Sequence, residues 1–166
     1  MSRRYAHGWL IGLALTAAAC ATAAPRAAPS SAVSTSGSGS LSGPGRVTVE
    51  LVGLESAQGQ VLVALFRSAS GFPDGTSGAF AKAVRKARAG ALRVTFDSVP
   101  PGPFAVTVHH DEDSDFAMDT GMFGIPQEGY GFSRDASAPF GPPDFAASRL
   151  PLAAGQHKRI RIHLRY

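Results

Sequence analysis

One cysteine, one tryptophan and a charged fraction of only 17% are the chief shortages of this 166-residue chain. Both rare residues, Cys20 and Trp9, lie within the first twenty positions. Everything that follows is free of thiols, which excludes disulfides and thiolate metal centres from the folded part. Long apolar runs are missing too. The stretch from Trp9 to Ala19 falls short of the roughly 20 residues that a membrane-spanning helix needs. The formal charge of +4 includes Arg3 and Arg4. Without them, 14 cations face 12 acids and the balance is +2, too small to read as a nucleic-acid footprint. No nucleic-acid partner is expected.

What is present points to export and to β-structure. Residues 1–24 have the form of an export signal: a positive start at Arg3-Arg4, a short apolar run and small residues after it. Cys20 ends that run, where a bacterial lipoprotein carries its lipidated cysteine, although Ala17 stands where such a motif usually has leucine. Ordinary cleavage after Ala21-Thr22-Ala23, or one residue later, would discard Cys20. Both readings stay open: a protein anchored in the outer membrane or free in the periplasm, with secretion as the alternative. Membrane contact is expected only through lipidation at Cys20. Residues 25–45 are almost all Ala, Ser, Gly, Pro and Thr and read as a flexible tether. Residues 46–166 form one expected domain of about 120 residues, enough for a single sandwich core.

With 19 glycines and 12 prolines, that domain has a loop-rich all-β composition. Arg46 to Leu54 alternates, with Val47, Val49 and Leu51 on one face. Gln60 to Phe66 is apolar on both faces, so the two segments read as a hairpin whose second strand is central. Phe80 to Arg88 carries four cations and reads as an irregular or edge strand. Ala91 to Phe96 and Phe104 to Val108 alternate again. Ile160, Ile162, Leu164 and Tyr166 alternate with Arg159, Arg161, His163 and Arg165 in the clearest strand pattern of all. The expected fold is an antiparallel β-sandwich of six to seven strands with long loops. The basic outer face of the last strand reads as solvated surface; contact with anionic lipid or polysaccharide would need charge from the neighbouring strand.

Between the two groups of strands, His109 to Phe132 gathers the chemistry. Five of the 12 acids fall between Asp111 and Asp119. Asp111, Asp113, Asp115 and Asp119 occupy positions 1, 3, 5 and 9 of a calcium-type loop, and calcium is the one cofactor this spacing suggests. Two features depart from that pattern: Phe116 replaces the turn glycine, and Met122 replaces a bidentate acid. His109 and His110 are neighbours on a strand and point to opposite faces. Phase with Val106 and Val108 sends His110 inward, as a hydrogen-bonded core residue, and His109 outward to the surface. His110 with Asp111 could act as base and orienter in a hydrolase, but no nucleophile elbow accompanies them. Phe123, Tyr130, Phe132, Phe140 and Phe145 lie among glycines and prolines. They read as anchors packing a long loop onto a sheet edge, or as a platform on which a sugar ring stacks. In the platform reading His110, Tyr130, Phe132 and Glu128 are the candidate ligand-binding set, with glycines flanking Tyr130 to admit the ligand.

Several stretches together resemble a known bacterial exported family, domain of unknown function 2141. They are Val61 to Phe66, Gly71-Phe72-Pro73, Phe96 to Gly102, Phe104-Ala105-Val106, His110-Asp111-Glu112, Met118-Asp119-Thr120, Phe123 to Ser133 and Phe140 to Pro143. The resemblance covers about Val47 to Tyr166. It implies a small sandwich of prealbumin-like or carboxypeptidase-regulatory-like type and implies no reaction. Compared with the Asn and Gly of the family's acidic loop, Asp113, Asp115 and Phe116 are departures. The expected protein is a non-catalytic binding or structural module of the bacterial cell envelope with an unidentified envelope ligand or protein partner. The alternatives are a calcium-stabilised carbohydrate-binding module and an envelope hydrolase using His110 and Asp111.

Overall fold

Alternating apolar residues fix which faces meet. A computed structural model describes residues 42–74 and 76–166. The expected export signal, Cys20 and nearly all of the expected tether lie outside the described residues. Eight strands follow in order: β1 (Gly45–Leu54), β2 (Gln60–Phe66), β3 (Ala81–Lys86), β4 (Gly90–Val99), β5 (Gly102–Asp111), β6 (Gly129–Phe132), β7 (Leu150–Leu152) and β8 (His157–His163). One short helix, α1 (Phe145–Ser148), begins at Asp144, whose side chain accepts from Ala147 N–H. The strands form two sheets, ordered β4-β1-β8 and β3-β2-β5-β6, with β7 adding to the start of β5.

The expected all-β sandwich is therefore present, with three differences of detail. Among the described residues there are eight strands instead of six or seven, because β6 is glycine-rich and β7 is only three residues long with a central proline. The pairing is not wholly antiparallel, since β8 runs parallel to β1. Nor are β1 and β2 a hairpin. β1 pairs with β4 and β8, while β2 pairs with β3 and β5, so residues 55–59 carry the chain from one sheet to the other. Both strands turn apolar residues inward, and alternation reads the same whether the next strand lies beside or opposite. β2 is central and β3 is an edge, as expected.

Val47, Val49 and Leu51 from β1 face Val61, Val63 and Leu65 from β2, with Phe104, Val106, Val108 and Ile162 closing one buried cluster that runs from Val47 to Leu164. The sandwich is sealed on one side by the C-terminus. After β8, Arg165 crosses to the edge of β6 and exchanges two backbone bonds with Tyr130, each 2.9 Å long. The other face of the β2–β5–β6 sheet is covered as well. Phe72 packs among Phe66, Phe132 and Phe145 at centroid separations of 5.3, 6.2 and 5.8 Å. The turn from Val99 to Gly102 exposes carbonyls that no strand serves, and the Arg67 guanidinium binds those of Pro100, Pro101 and Pro103.

Candidate functional site

β5 delivers His109, His110 and Asp111 to one end of the sandwich, and each takes a different role. His110 is fully buried, its phase shared with Val106 and Val108. Its Nε2 lies 3.0 Å from the Gln58 carbonyl, which can only accept, so Nε2 carries a proton. Its Nδ1 lies 2.7 Å from the Tyr166 hydroxyl, which itself accepts from Glu55 N–H at 3.1 Å. Burial, then the Glu112 and Glu55 carboxylates, hold the Tyr166 phenol above its ordinary range, so it remains a donor at neutral pH.

Asp111 is equally buried, but its carboxylate faces away from the His110 ring. Oδ2 accepts from Gln60 Nε2 (2.7 Å) and Phe116 N–H (3.1 Å), and Oδ1 from Asp115 N–H (3.2 Å). Burial raises its pKa, yet the Gln60 amide and the backbone donors outweigh that and hold it below the usual carboxylate range. The base–orienter pair of the hydrolase reading is not brought together, and neither residue meets solvent.

His109 is half-buried instead of lying on open surface. Its side chain points to the outer face as expected, but residues 112–128 cover that face. Nε2–H donates to Glu128 at 2.7 Å. Glu128, buried in turn, accepts from Glu112 N–H at 2.8 Å through Oε1 and from Asp119 N–H at 3.1 Å through Oε2. Burial pulls its pKa up, and the His109 hydrogen bond with the two backbone donors brings it below the ordinary value. Glu128 thus staples both ends of the acidic loop to β5. His110 and Glu128, two of the four candidate ligand-binding residues, are buried, hydrogen-bonded within the fold and outside the lining of the cleft described below.

The acidic loop brings three of its four candidate ligands together. Asp111, Asp113 and Asp115 each offer an oxygen within 4.8 Å of the others; Asp119 is not in the group. Crowding shows in Asp113, whose carboxyl is held above its ordinary value by desolvation and by the Asp115, Asp119 and Asp111 charges. Ser114 and Phe116 take left-handed φ angles of 67° and 68°, so the turn forms without the glycine.

The remaining two candidates, Tyr130 and Phe132, sit on the outer face of β6 with centroids 6.0 Å apart. Phe132 is consumed by packing on Phe72, while Tyr130 forms part of the floor of a cleft of about 590 Å³. Residues 118–126 and 136–143 supply its walls, and Arg165 reaches it from the C-terminus. The aromatic residues therefore divide. Phe132 and Phe145 anchor the loops, whereas Phe123 and Phe140 stand in solvent at the cleft. The glycines beside Tyr130 have a different purpose from ligand access. A Cβ at Gly129 would lie 2.5 Å from Tyr166 Cζ, and one at Gly131 would lie 2.7 Å from Ile162 Cγ2. Close approach of β8 and the C-terminus requires them.

Residues 49–161 match the pattern of a family described as an uncharacterized protein conserved in bacteria, DUF2141. The chain belongs to this family. Neither the curated proteins nor the solved structures gave a match. Several motifs of this DUF2141 domain now have physical reasons. Gly71-Phe72-Pro73 supplies the aromatic hub, and Ser133 bridges Val106 N–H (2.9 Å) and the Ser148 carbonyl (2.7 Å). Sequence reasoning read Arg165 and Tyr166 as part of the last strand's alternation and missed their roles. The strand pattern ran on past the real end of β8 at His163, hiding the crossing to β6. On the β4–β1–β8 face the neighbouring strands add acids as well as cations. Glu50 lies 3.1 Å from Arg161 and 3.7 Å from Arg93, and Asp97 pairs with Arg46, which leaves a solvated, partly neutralised surface.

Proposed function

We propose that this DUF2141 protein is an exported, non-catalytic binding module of the bacterial envelope that engages its partner at the cleft over Tyr130. The observation carrying this reading is the contrast between two regions. The cleft is open, of ligand-site size and mainly apolar, with one cation, Arg165, and one acid, Asp74, in its lining. His110 and Asp111, the residues a hydrolase would need, are buried with their polar atoms engaged. The export signal at residues 1–24 supports an envelope location, with Cys20 as the candidate lipid attachment point. Amide and side-chain NMR of residues 25–166, titrated with peptidoglycan fragments, envelope polysaccharides and lipid vesicles, tests the reading. Shifts should gather at Tyr130, Phe123, Phe140 and Arg165. Shifts confined to another face, or turnover of any of these materials abolished by His110→Ala, would overturn it.

A second reading, the calcium-stabilised carbohydrate-binding module, is favoured by the three convergent carboxylates and by the turn at Phe116. Calcium at 100 times its Kd should stabilise the fold by about 2.7 kcal/mol, a rise of several degrees in Tm. Asp113→Ala with Asp115→Ala should abolish the rise, since both are exposed and Asp111 keeps its backbone bonds. Identical melts in calcium and in chelator would remove the metal from consideration.

A further inference from the structure

Three large exposed apolar side chains, Phe123, Ile125 and Phe140, line this cleft, and a fourth, Met122, is exposed on the same hairpin outside its lining. Phe123 and Phe140 are 93% and 96% exposed, and Met122 and Ile125 are exposed beside Phe123. Apolar residues scattered singly on a surface need no explanation, but several at one cleft form a patch. The patch is also built. Residues 119–127 form a closed hairpin: Gln127 N–H bonds Asp119 O (2.8 Å), Thr120 bridges Pro126, and Gly121 N–H bonds Ile125 O (2.8 Å). At its tip Phe123 holds a left-handed φ of 65°, a conformation unfavourable for a residue that carries a side chain. The chain thus accepts strain in a turn that presents a phenylalanine to solvent. A small ligand in a pocket buries most of its own surface against the walls. Rings this exposed enclose little, and they suit a medium that closes around them.

We propose that the Phe123 and Phe140 tips insert into the interfacial layer of a phospholipid bilayer, with Arg165 beside the lipid phosphates. This rests on the cleft being the binding face of an exported protein, and it names the partner. The Arg165 guanidinium donates to the Asp135 carbonyl at 2.8 Å and its charge also lowers the pKa of the Asp135 carboxyl, but it makes no salt bridge within 4 Å among the described residues. The chain outside the structure supplies the reason to choose lipid. In the lipidated reading Cys20 is the anchor at a bilayer, and residues 21–41 after it span at most about 70 Å when extended. That exceeds the roughly 33 Å length of a ten-residue strand, so the sandwich can turn this face onto the same membrane. A tether of that length keeps the tips near lipid at a high effective concentration, so weak insertion suffices. Asp113, Asp115 and Asp119 stand on the adjacent loop, so insertion is apolar in origin and zwitterionic lipid is enough.

Residues 25–166 contain the whole buried cluster and no tryptophan, which makes Phe123→Trp and Phe140→Trp unique probes. Each should shift its emission to the blue on mixing with phosphatidylcholine vesicles and be quenched by brominated acyl chains. Phe123→Ser with Phe140→Ser should lower co-flotation about tenfold or more with no fall in Tm, because both residues are exposed. Three outcomes would overturn the proposal. One is the absence of any shift or flotation. Another is a shift that grows with protein concentration without vesicles, meaning that a second copy covers the patch. The third is flotation that needs anionic lipid, vanishes in high salt and ignores both serine substitutions. If vesicles do nothing while soluble envelope sugars still shift Tyr130, lipid is excluded and the binding reading survives.

Discussion

Glu128→Ala should destabilise the domain by about 3–5 kcal/mol, although Glu128 is far from the hydrophobic cluster in character. The substitution leaves Glu112 N–H, Asp119 N–H and His109 Nε2 without their carboxylate acceptor at a buried side chain. Glu128→Gln keeps one carbonyl but turns an amide donor toward N–H groups, and about 2 kcal/mol is expected. Urea unfolding gives the totals. Hydrogen exchange at Glu112 and Asp119 reads the staple itself, and their protection should fall before that of β5. Unchanged protection in the alanine variant would mean that the acidic loop is held by something other than this carboxylate.

The same residue sets a pH dependence. Glu128 and Asp111 are both held below their ordinary carboxylate values in the folded state. Each contributes stability that is complete above the unfolded value of about 4 and is lost as pH falls through the folded value. The gap between wild type and Glu128→Gln should accordingly be widest near neutrality and narrow on acidification, as the wild-type carboxyl takes up its own proton. A gap that stayed constant from neutral pH into the acid range would contradict the assignment.

Much of this frame was visible in the residues, and the parts that were not have identifiable reasons. Val47, Val49 and Leu51, or Phe104, Val106 and Val108, alternate because each strand has one face on the core, and period two survives in any sequence. The phase even sent His110 inward correctly. It could not reveal that the outer face under His109 is roofed by its own downstream loop, a contact 19 residues away made through Glu128. Alternation is equally silent on which strand lies beside which, so the switch between sheets after Leu54 read as a hairpin. Gly129-Tyr130-Gly131 looked like loop because glycine weakens a strand unless something approaches closely. Five aromatic residues in one loop region looked alike, yet only the fold separates the packed Phe132 from the exposed Phe123 and Phe140.

The glycines of β6 give the second large effect, and its sign is informative. Neither Gly129 nor Gly131 has a positive φ, so by backbone entropy alone alanine should help each by roughly 0.5–1 kcal/mol. Contact reverses this. The Cβ of Gly131→Ala would lie 2.7 Å from Ile162 Cγ2 and 3.1 Å from the His163 carbonyl. Ile162 is fully buried and cannot withdraw, so a loss of about 3 kcal/mol is expected. At Gly129 the obstacle is the Tyr166 ring, with Cζ at 2.5 Å and the hydroxyl at 2.8 Å. That ring is partly exposed and can swing aside, but only by releasing His110 Nδ1 and Glu55 N–H. Gly129→Ala should therefore cost about 2 kcal/mol, and nearly all of it should vanish in a Tyr166→Ala background, where the obstacle is already gone. Additive losses in that double-mutant cycle would show that Gly129 answers to backbone conformation. A strong coupling would show that it exists to let the C-terminal tyrosine reach the buried histidine.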